Sequence, residues 1–256
     1  MLFRSGRGRR DLVLIPGLSL RSVRGAALPL AFMYRRFARD YRVWVFDRRA
    51  DIPEGCTVRD LAEDVASAMA QLGIGRADVL GVSQGGMIAQ YLAIDHPERV
   101  RRLALAVTLC RPNDTHRRAV DDWVRMAEAG DYPAIVRDMT ERMYSERYVR
   151  RHRWLFPLLT RTVKLVEPGR FVRLARASLT CDTCDSLDRI RCPVLVLGGT
   201  EDRIATGRAS EEIAEKLGCP IHMYEGLGHS AYEEAPDFNR RVYDFFQSED
   251  DGRTGP

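Results

Sequence analysis

The stretch Ala77-Asp78-Val79-Leu80-Gly81-Val82-Ser83-Gln84-Gly85-Gly86-Met87 lies a third of the way along the chain. Residues 79–82 form an apolar run of strand length, and residues 87–94 carry helical spacing. Between them sits a Gly-x-Ser-x-Gly pentapeptide. A serine at the tip of such a strand-turn-helix lies in strained backbone with its hydroxyl held above the sheet edge. Gly81 and Gly85 fall where strand and helix pack so closely that side chains would collide. The start of the helix also aims free N–H groups and its positive end at whatever the serine attacks. Taken alone, the pentapeptide fits equally a glycine-rich turn with an ordinary N-cap serine, so residues further along must separate the two readings.

Short apolar runs recur at 11–16, 42–47, 103–109, 192–199 and 221–224, and each reads as a buried strand. Helical patterns lie between them at 26–38, 57–72, 210–217 and 236–246. In the second of these Thr57 can cap and Asp60 holds the box position; in the third Ser210 is the candidate cap. Alternation of this kind predicts an α/β fold, a mostly parallel sheet with helices on both faces. Ligands on such sheets bind beyond the carboxyl ends of the strands, where Leu18, Asp47 and Ser83 lie.

From 114 to 190 no strand is evident, and helical segments at 120–129, 133–144, 146–153 and 171–179 dominate. Ile135, Met139 and Met143 share one helical face. So long a block between two strands is an insertion rather than a loop. The expected organisation is a first part of the core at 1–113, a helical cap at 114–190, the second part of the core at 191–246 and a disordered tail at 247–256.

Composition narrows the function classes. The chain of 256 residues carries a net charge of +4 from 40 basic and 36 acidic side chains. Lys164 and Lys216 are the only lysines, a bias that reads as GC-rich coding rather than a nucleic-acid surface. No apolar run approaches the ~20 residues that span a bilayer. The run at 12–16 is too short for the core of a signal peptide, so a cytoplasmic protein is expected. The six cysteines include Cys181-x-x-Cys184, but no second ligand pair appears at zinc spacing, and reduced thiols are expected.

A serine hydroxyl needs a base to take its proton, and the base needs a carboxylate to fix its tautomer. His229 lies in the glycine-containing loop Gly226-Leu227-Gly228-His229 after the last strand, and Asp202 follows the strand before it. Glu201 is the rival acid; Asp202 is preferred because it lies further past the strand on a shorter side chain. His96, His116, His152 and His222 fit worse and read as structural or solvated. The chain order Ser83, Asp202, His229 is the one in which α/β-hydrolases carry nucleophile, acid and base.

On these residues, and on Gly81-Val82-Ser83-Gln84-Gly85-Gly86-Met87-Ile88-Ala89 followed by His96-Pro97-Glu98-Arg99-Val100, the chain resembles the α/β-hydrolase superfamily with a helical cap. It is similar to the small carboxylesterase and 3-oxoadipate enol-lactonase-like branch. The resemblance covers essentially the whole chain. It implies an oxyanion hole from the backbone N–H groups of Gln84 and Leu18. The family's His-Gly pair before that second donor is Pro16-Gly17 here, a departure that leaves a backbone donor in place. Family members also begin with one or two antiparallel strands; the ten residues ahead of the 11–16 strand have room for one at most, so a shortened sheet is expected.

The resemblance implies a serine hydrolase acting on a carboxylic ester, lactone or thioester through Ser83, His229 and Asp202, with no metal or cofactor. The alternative is a ligand-binding member of the fold with slow turnover. The expected partner is a small acyl substrate, with no nucleic acid and no membrane insertion, in a monomer or homodimer. Residues 147–176 hold nine basic side chains against Glu167 alone, around the apolar run 154–159. That pattern fits a solvated helix face beside a packed apolar segment, or a lid that draws in anions; on the second reading Trp154, Phe156 and Leu159 wall the substrate pocket.

Overall fold

Leu12 and Leu14 face one side of a sheet and Val13 and Ile15 the other, and all four are buried. This is the two-residue period of a strand with both faces covered, which is why the segment reads as a continuous apolar run. The computed structural model describes residues 2–20, 23–155 and 167–248. Its strands are β1 (Leu2–Ser5), β2 (Arg10–Ile15), β3 (Tyr41–Phe46), β4 (Ala77–Val82), β5 (Val100–Ala106), β6 (Val194–Gly199) and β7 (Ile221–Tyr224). They form one seven-stranded sheet in the order β1-β3-β2-β4-β5-β6-β7. Only β1 runs antiparallel, paired with β3, so the sheet opens with a single short antiparallel strand.

The described helices are α1 (Ala27–Met33), α2 (Val58–Gln71), α3 (Gln84–Asp95), α4 (Asp114–Glu128), α5 (Tyr132–Met143), α6 (Glu146–His152), α7 (Pro168–Ser178), α8 (Gly207–Leu217), α9 (Ala231–Glu234) and α10 (Phe238–Gln247). On one face of the sheet α2, α3 and α8 bury Leu61, Met69, Leu92 and Ile213 against Val13, Val79 and Leu103. On the other face α10 buries Phe238, Val242 and Phe246 against Leu12, Leu80 and Ala104. Each such side chain contributes about 1.5–3 kcal/mol by leaving water.

Local signals behave as their chemistry predicts at α2. Thr57 Oγ1 accepts from Asp60 N (3.1 Å) and Asp60 Oδ2 accepts from Thr57 N (2.8 Å), a complete capping box. At α8 the structure corrects the expected cap. Thr206, not Ser210, accepts from Ala209 N (3.3 Å), because the helix begins a turn earlier at Gly207 and Ser210 is buried inside it. The short helix α9, directly after His229, has no counterpart in the sequence reading.

The described part of the insertion is helical and packs on Leu18 and Ile204, which follow β2 and β6. Trp123 of α4, Ile135 and Met139 of α5, and Phe171 and Ala175 of α7 form a separate apolar cluster that Ile204 of the core joins. Of the stripe on α5, Ile135 and Met139 are buried, and Met143 packs against the cluster half-buried. The cap residues 156–166 and the tail residues 249–256 lie outside the described residues. Gln247, where the tail was expected to begin, is instead the last residue of α10.

The cysteines depart from expectation. Cys110 and Cys184 form a disulfide across a sequence separation of 74, with Cα atoms 4.9 Å apart. Cys110 lies just after β5 and Cys184 just after α7, so the bond closes the neck of the cap. Thr183 N donates to the Cys110 carbonyl (2.8 Å) beside it. Reduced thiols were expected for both members of Cys181-x-x-Cys184; Cys181 keeps a buried thiol, which faces the carbonyls of Leu109 and Cys110. A loop this long, once closed, stabilises by about 2–4 kcal/mol. Among the described residues no helix is long and apolar enough to cross a membrane.

Candidate active site

Ser83 joins β4 to α3 with φ 54° and ψ −122°, a conformation that non-glycine residues rarely adopt. The surroundings hold it there. Ser83 N donates to the Ala106 carbonyl (2.9 Å), and the Ser83 carbonyl accepts from Gly86 N (2.8 Å) and from Thr108 Oγ1 (2.8 Å). Gly85 has to be glycine, because a Cβ there would lie 1.8 Å from the Ile15 carbonyl oxygen. A Cβ on Gly81 would lie 2.6 Å from the Gly85 carbonyl oxygen. The helix can therefore start directly against the ends of β2 and β4, and the serine side chain is pushed outward.

His229 is delivered by the loop after β7. Its Nε2 lies 2.8 Å from Ser83 Oγ, and its Nδ1 lies 2.8 Å from Asp202 Oδ2. Asp202 Oδ1 accepts from Ile204 N (2.8 Å) and Ala205 N (2.9 Å). Burial pushes the Asp202 carboxyl upward. The His229 ring, its hydrogen bond and the two N–H groups outweigh that and hold the pKa below the ordinary carboxylate value. An ionised carboxylate only accepts, so His229 carries its proton on Nδ1. Nε2 is then left to accept from the Ser83 hydroxyl. Glu201 is exposed, and its carboxylate makes no described contact with His229.

The residues expected to supply the oxyanion hole flank Ser83. Gln84 is the first residue of α3, so its N–H has no partner within the helix. The loop 16–18 passes directly over the serine: a Cβ on Gly17 would lie 3.2 Å from Ser83 Cβ. Among the described residues no acceptor takes Leu18 N or Gln84 N.

Three polar side chains near the site were given no site role in the sequence reading. Arg48 Nη2 donates to the Pro16 carbonyl (2.6 Å) and to Gln84 Oε1 (3.2 Å). Arg170 of α7 donates to the carbonyls of Arg48 (3.0 Å) and Arg49 (3.2 Å), which ties the cap to the loop after β3. His116 of α4, read as structural, shares the niche of Ser83 and His229. There Ser178 Oγ lies 3.0 Å from its Nε2, and burial and the nearby His229 push its pKa down to about 4. The signal that could have found Arg48 is its place beside Asp47 at the carboxyl end of β3.

A cavity of about 450 Å³ opens beside the loop 16–18. Leu18, Leu30, Met33, Met139, Met143 and Leu174 form its apolar wall, and Arg48, Arg170, Tyr144 and Glu233 add polar groups. Ser83 and His229 face a niche of about 30 Å³. The two spaces share Gly17, Leu18, Gln84, Met139, Met143 and Tyr232. The expected pocket wall needs correction. Trp154 is 73% exposed, because it sits in the 3-10 turn after α6 and packs into neither space. Phe156 and Leu159 lie outside the described residues. The cap faces the cavity through α5 and α7 instead. Among the described residues the only group spaced to hold a metal ion is Cys110, Cys184 and Glu212, and its two sulfurs are joined in the disulfide.

A mostly parallel sheet with a strained serine elbow, an acid after β6, a histidine after β7 and a helical insertion after β5 defines an α/β-hydrolase fold. The chain belongs to the alpha/beta hydrolase family, whose model matches residues 12–240. A Caulobacter sp. (strain K31) protein assigned as the carbamate hydrolase RutD is 26% identical over 94% of this chain and 92% of its own length. The 3-oxoadipate enol-lactonase 1 of Acinetobacter baylyi is 23% identical over 80% of this chain and 78% of its own. In solved structures, the α/β hydrolase MGS-M2 from a Medee basin deep-sea metagenome superposes with a TM-score of 0.85 at 20% identity, covering 97% of this chain and 94% of that one. The enol-lactonase of Burkholderia xenovorans LB400 does so with a TM-score of 0.83 at 24% identity, covering 97% and 96%. These structural likenesses are likenesses of fold.

Proposed function

We propose that this protein is a serine hydrolase that cleaves a carboxylic ester, lactone or thioester of a small substrate through an acyl-enzyme. The observation that carries the reading is the pair of 2.8 Å contacts linking Ser83 Oγ to His229 Nε2 and His229 Nδ1 to Asp202 Oδ2. Ser83 Oγ attacks the carbonyl carbon as its proton passes to His229 Nε2. Asp202 holds the ring in the productive tautomer and stabilises the imidazolium. The carbonyl oxygen becomes an oxyanion, which accepts hydrogen bonds from the N–H groups of Leu18 and Gln84; one such donor is typically worth ~3 kcal/mol of barrier. When the tetrahedral intermediate collapses, the proton on Nε2 goes to the leaving alkoxide or thiolate. Water, deprotonated by the same Nε2, then attacks the acyl-enzyme and frees the acid and Ser83.

The same attack serves a carbamate carbonyl, and the names of the RutD relatives favour including one. The expected result from a panel of short-chain methyl esters, a γ-lactone, an acyl thioester and a carbamate is turnover of at least one oxygen or sulfur ester without added metal. Absence of turnover across all four classes would count against the reading.

A further inference from the structure

We propose that Arg48 forms an anion subsite in this pocket and that the natural acyl substrate carries a carboxylate of its own. The proposal rests on the hydrolase reading and adds the substrate class. Arg48 is 7% exposed and lines the cavity of about 450 Å³. Its described acceptors, the Pro16 carbonyl and Gln84 Oε1, are both neutral, and its buried Nε has no partner. Among the described residues no carboxylate lies at ion-pair distance from its guanidinium. Neutral oxygens orient a cation but do not cancel its charge, and a buried cation with no carboxylate in contact is costly.

The neighbouring carboxylates are engaged elsewhere. Asp47 accepts from Arg48 N (2.8 Å) and from Arg170 Nη2 (3.3 Å), so a second guanidinium already draws on it. Glu233, across the cavity, accepts from the Tyr144 hydroxyl. Burial lowers the Arg48 pKa, Asp47 opposes this and Arg170 adds to it; the result, about 10, still leaves a cation at neutral pH. The position fits a substrate group. Pro16 and Gln84, which Arg48 touches, border the Leu18 and Gln84 N–H groups expected to hold the oxyanion. A carboxylate on Arg48 would therefore belong to a short acid whose reacting carbonyl lies next to Ser83. Arg170, counted in the sequence as part of a charged cap surface, contributes from inside the pocket instead.

The alternative role for Arg48 is a brace for the oxyanion loop, which would affect all substrates alike. A ratio separates the two. Monomethyl glutarate and methyl pentanoate have the same ester and chain length and differ in a terminal carboxylate or methyl. The wild type is expected to favour the glutarate ester in kcat/KM by roughly 10²-fold, the scale of one buried charge-assisted hydrogen-bonded contact. Arg48→Met should collapse that ratio to about one, whatever loss the two esters share, and Arg48→Lys should retain part of it. The ratio should persist in 1 M NaCl, because a buried pair is screened little. A second arm is independent of turnover: glutarate binding to Ser83→Ala by calorimetry, lost in the double variant Ser83→Ala/Arg48→Met. Glutarate binding that needs Arg48, in a protein that turns over no ester, would keep the subsite and remove the hydrolase reading. A wild-type ratio near one, a ratio unchanged by Arg48→Met, a ratio abolished by salt, or glutarate binding independent of Arg48 would overturn the subsite. If Arg48→Met does not fold, Arg48→Gln replaces it, since the amide stays polar in the buried site but carries no charge.

Discussion

Ser83→Ala is expected to lower kcat by roughly 10⁴- to 10⁶-fold, the scale on which removal of a triad serine acts elsewhere. The substitution removes one oxygen and keeps the Cβ, so the elbow backbone at φ 54° is asked for nothing new. The contacts that hold the turn use the Ser83 backbone N–H and carbonyl, and these survive. What is lost is the acceptor-donor pair with His229 Nε2 at 2.8 Å. The variant should therefore melt within a few degrees of wild type while losing turnover. The measurement is kcat on the best ester alongside a thermal melt. A variant that kept a tenth of wild-type activity would remove Ser83 from the role of nucleophile.

Asp202→Asn is expected to cost up to ~10⁴-fold in kcat, as the equivalent exchange does in another Ser-His-Asp triad. The amide oxygen can still accept from Ile204 N and Ala205 N, so the local turn persists. Its NH₂, however, would face His229 Nδ1 as a donor. The ring would then place its proton on Nε2, where it cannot receive one from Ser83. Glu201→Gln should stay within about threefold, because Glu201 is exposed and has no described contact with the ring. The check is kcat for both variants on one substrate; a larger loss from Glu201→Gln would transfer the acid role to that neighbour.

Most of the frame was legible because strands buried on both faces must be apolar along their length. Leu12 to Ile15 and Leu103 to Ala106 announce themselves in this way. The elbow was legible because glycines are forced at Gly81 and Gly85 by backbone that approaches within a Cβ's reach. His229 and Asp202 were legible through their places after strands. Side-chain pairings across long sequence separations were not. Nothing local in Cys110 or Cys184 says that the chain returns after the cap to bring them together. The aromatic at Trp154 looked like a pocket wall because it is apolar within a basic segment; its orientation depends on a turn that sequence periodicity does not fix. Arg48 and Arg170 were hidden for the opposite reason. Charged residues in loops and at helix starts usually face water, and only the docking of α7 on the loop after β3 turns these two inward.

The central claim is that Ser83 is a nucleophile activated by His229. A fluorophosphonate reacts only with a serine so activated, and peptide mapping by mass spectrometry locates the adduct. The expected result is one phosphonyl group per chain on Ser83, absent from His229→Ala. An unlabelled wild-type protein, an adduct on another residue, or equal labelling without His229 would contradict the claim.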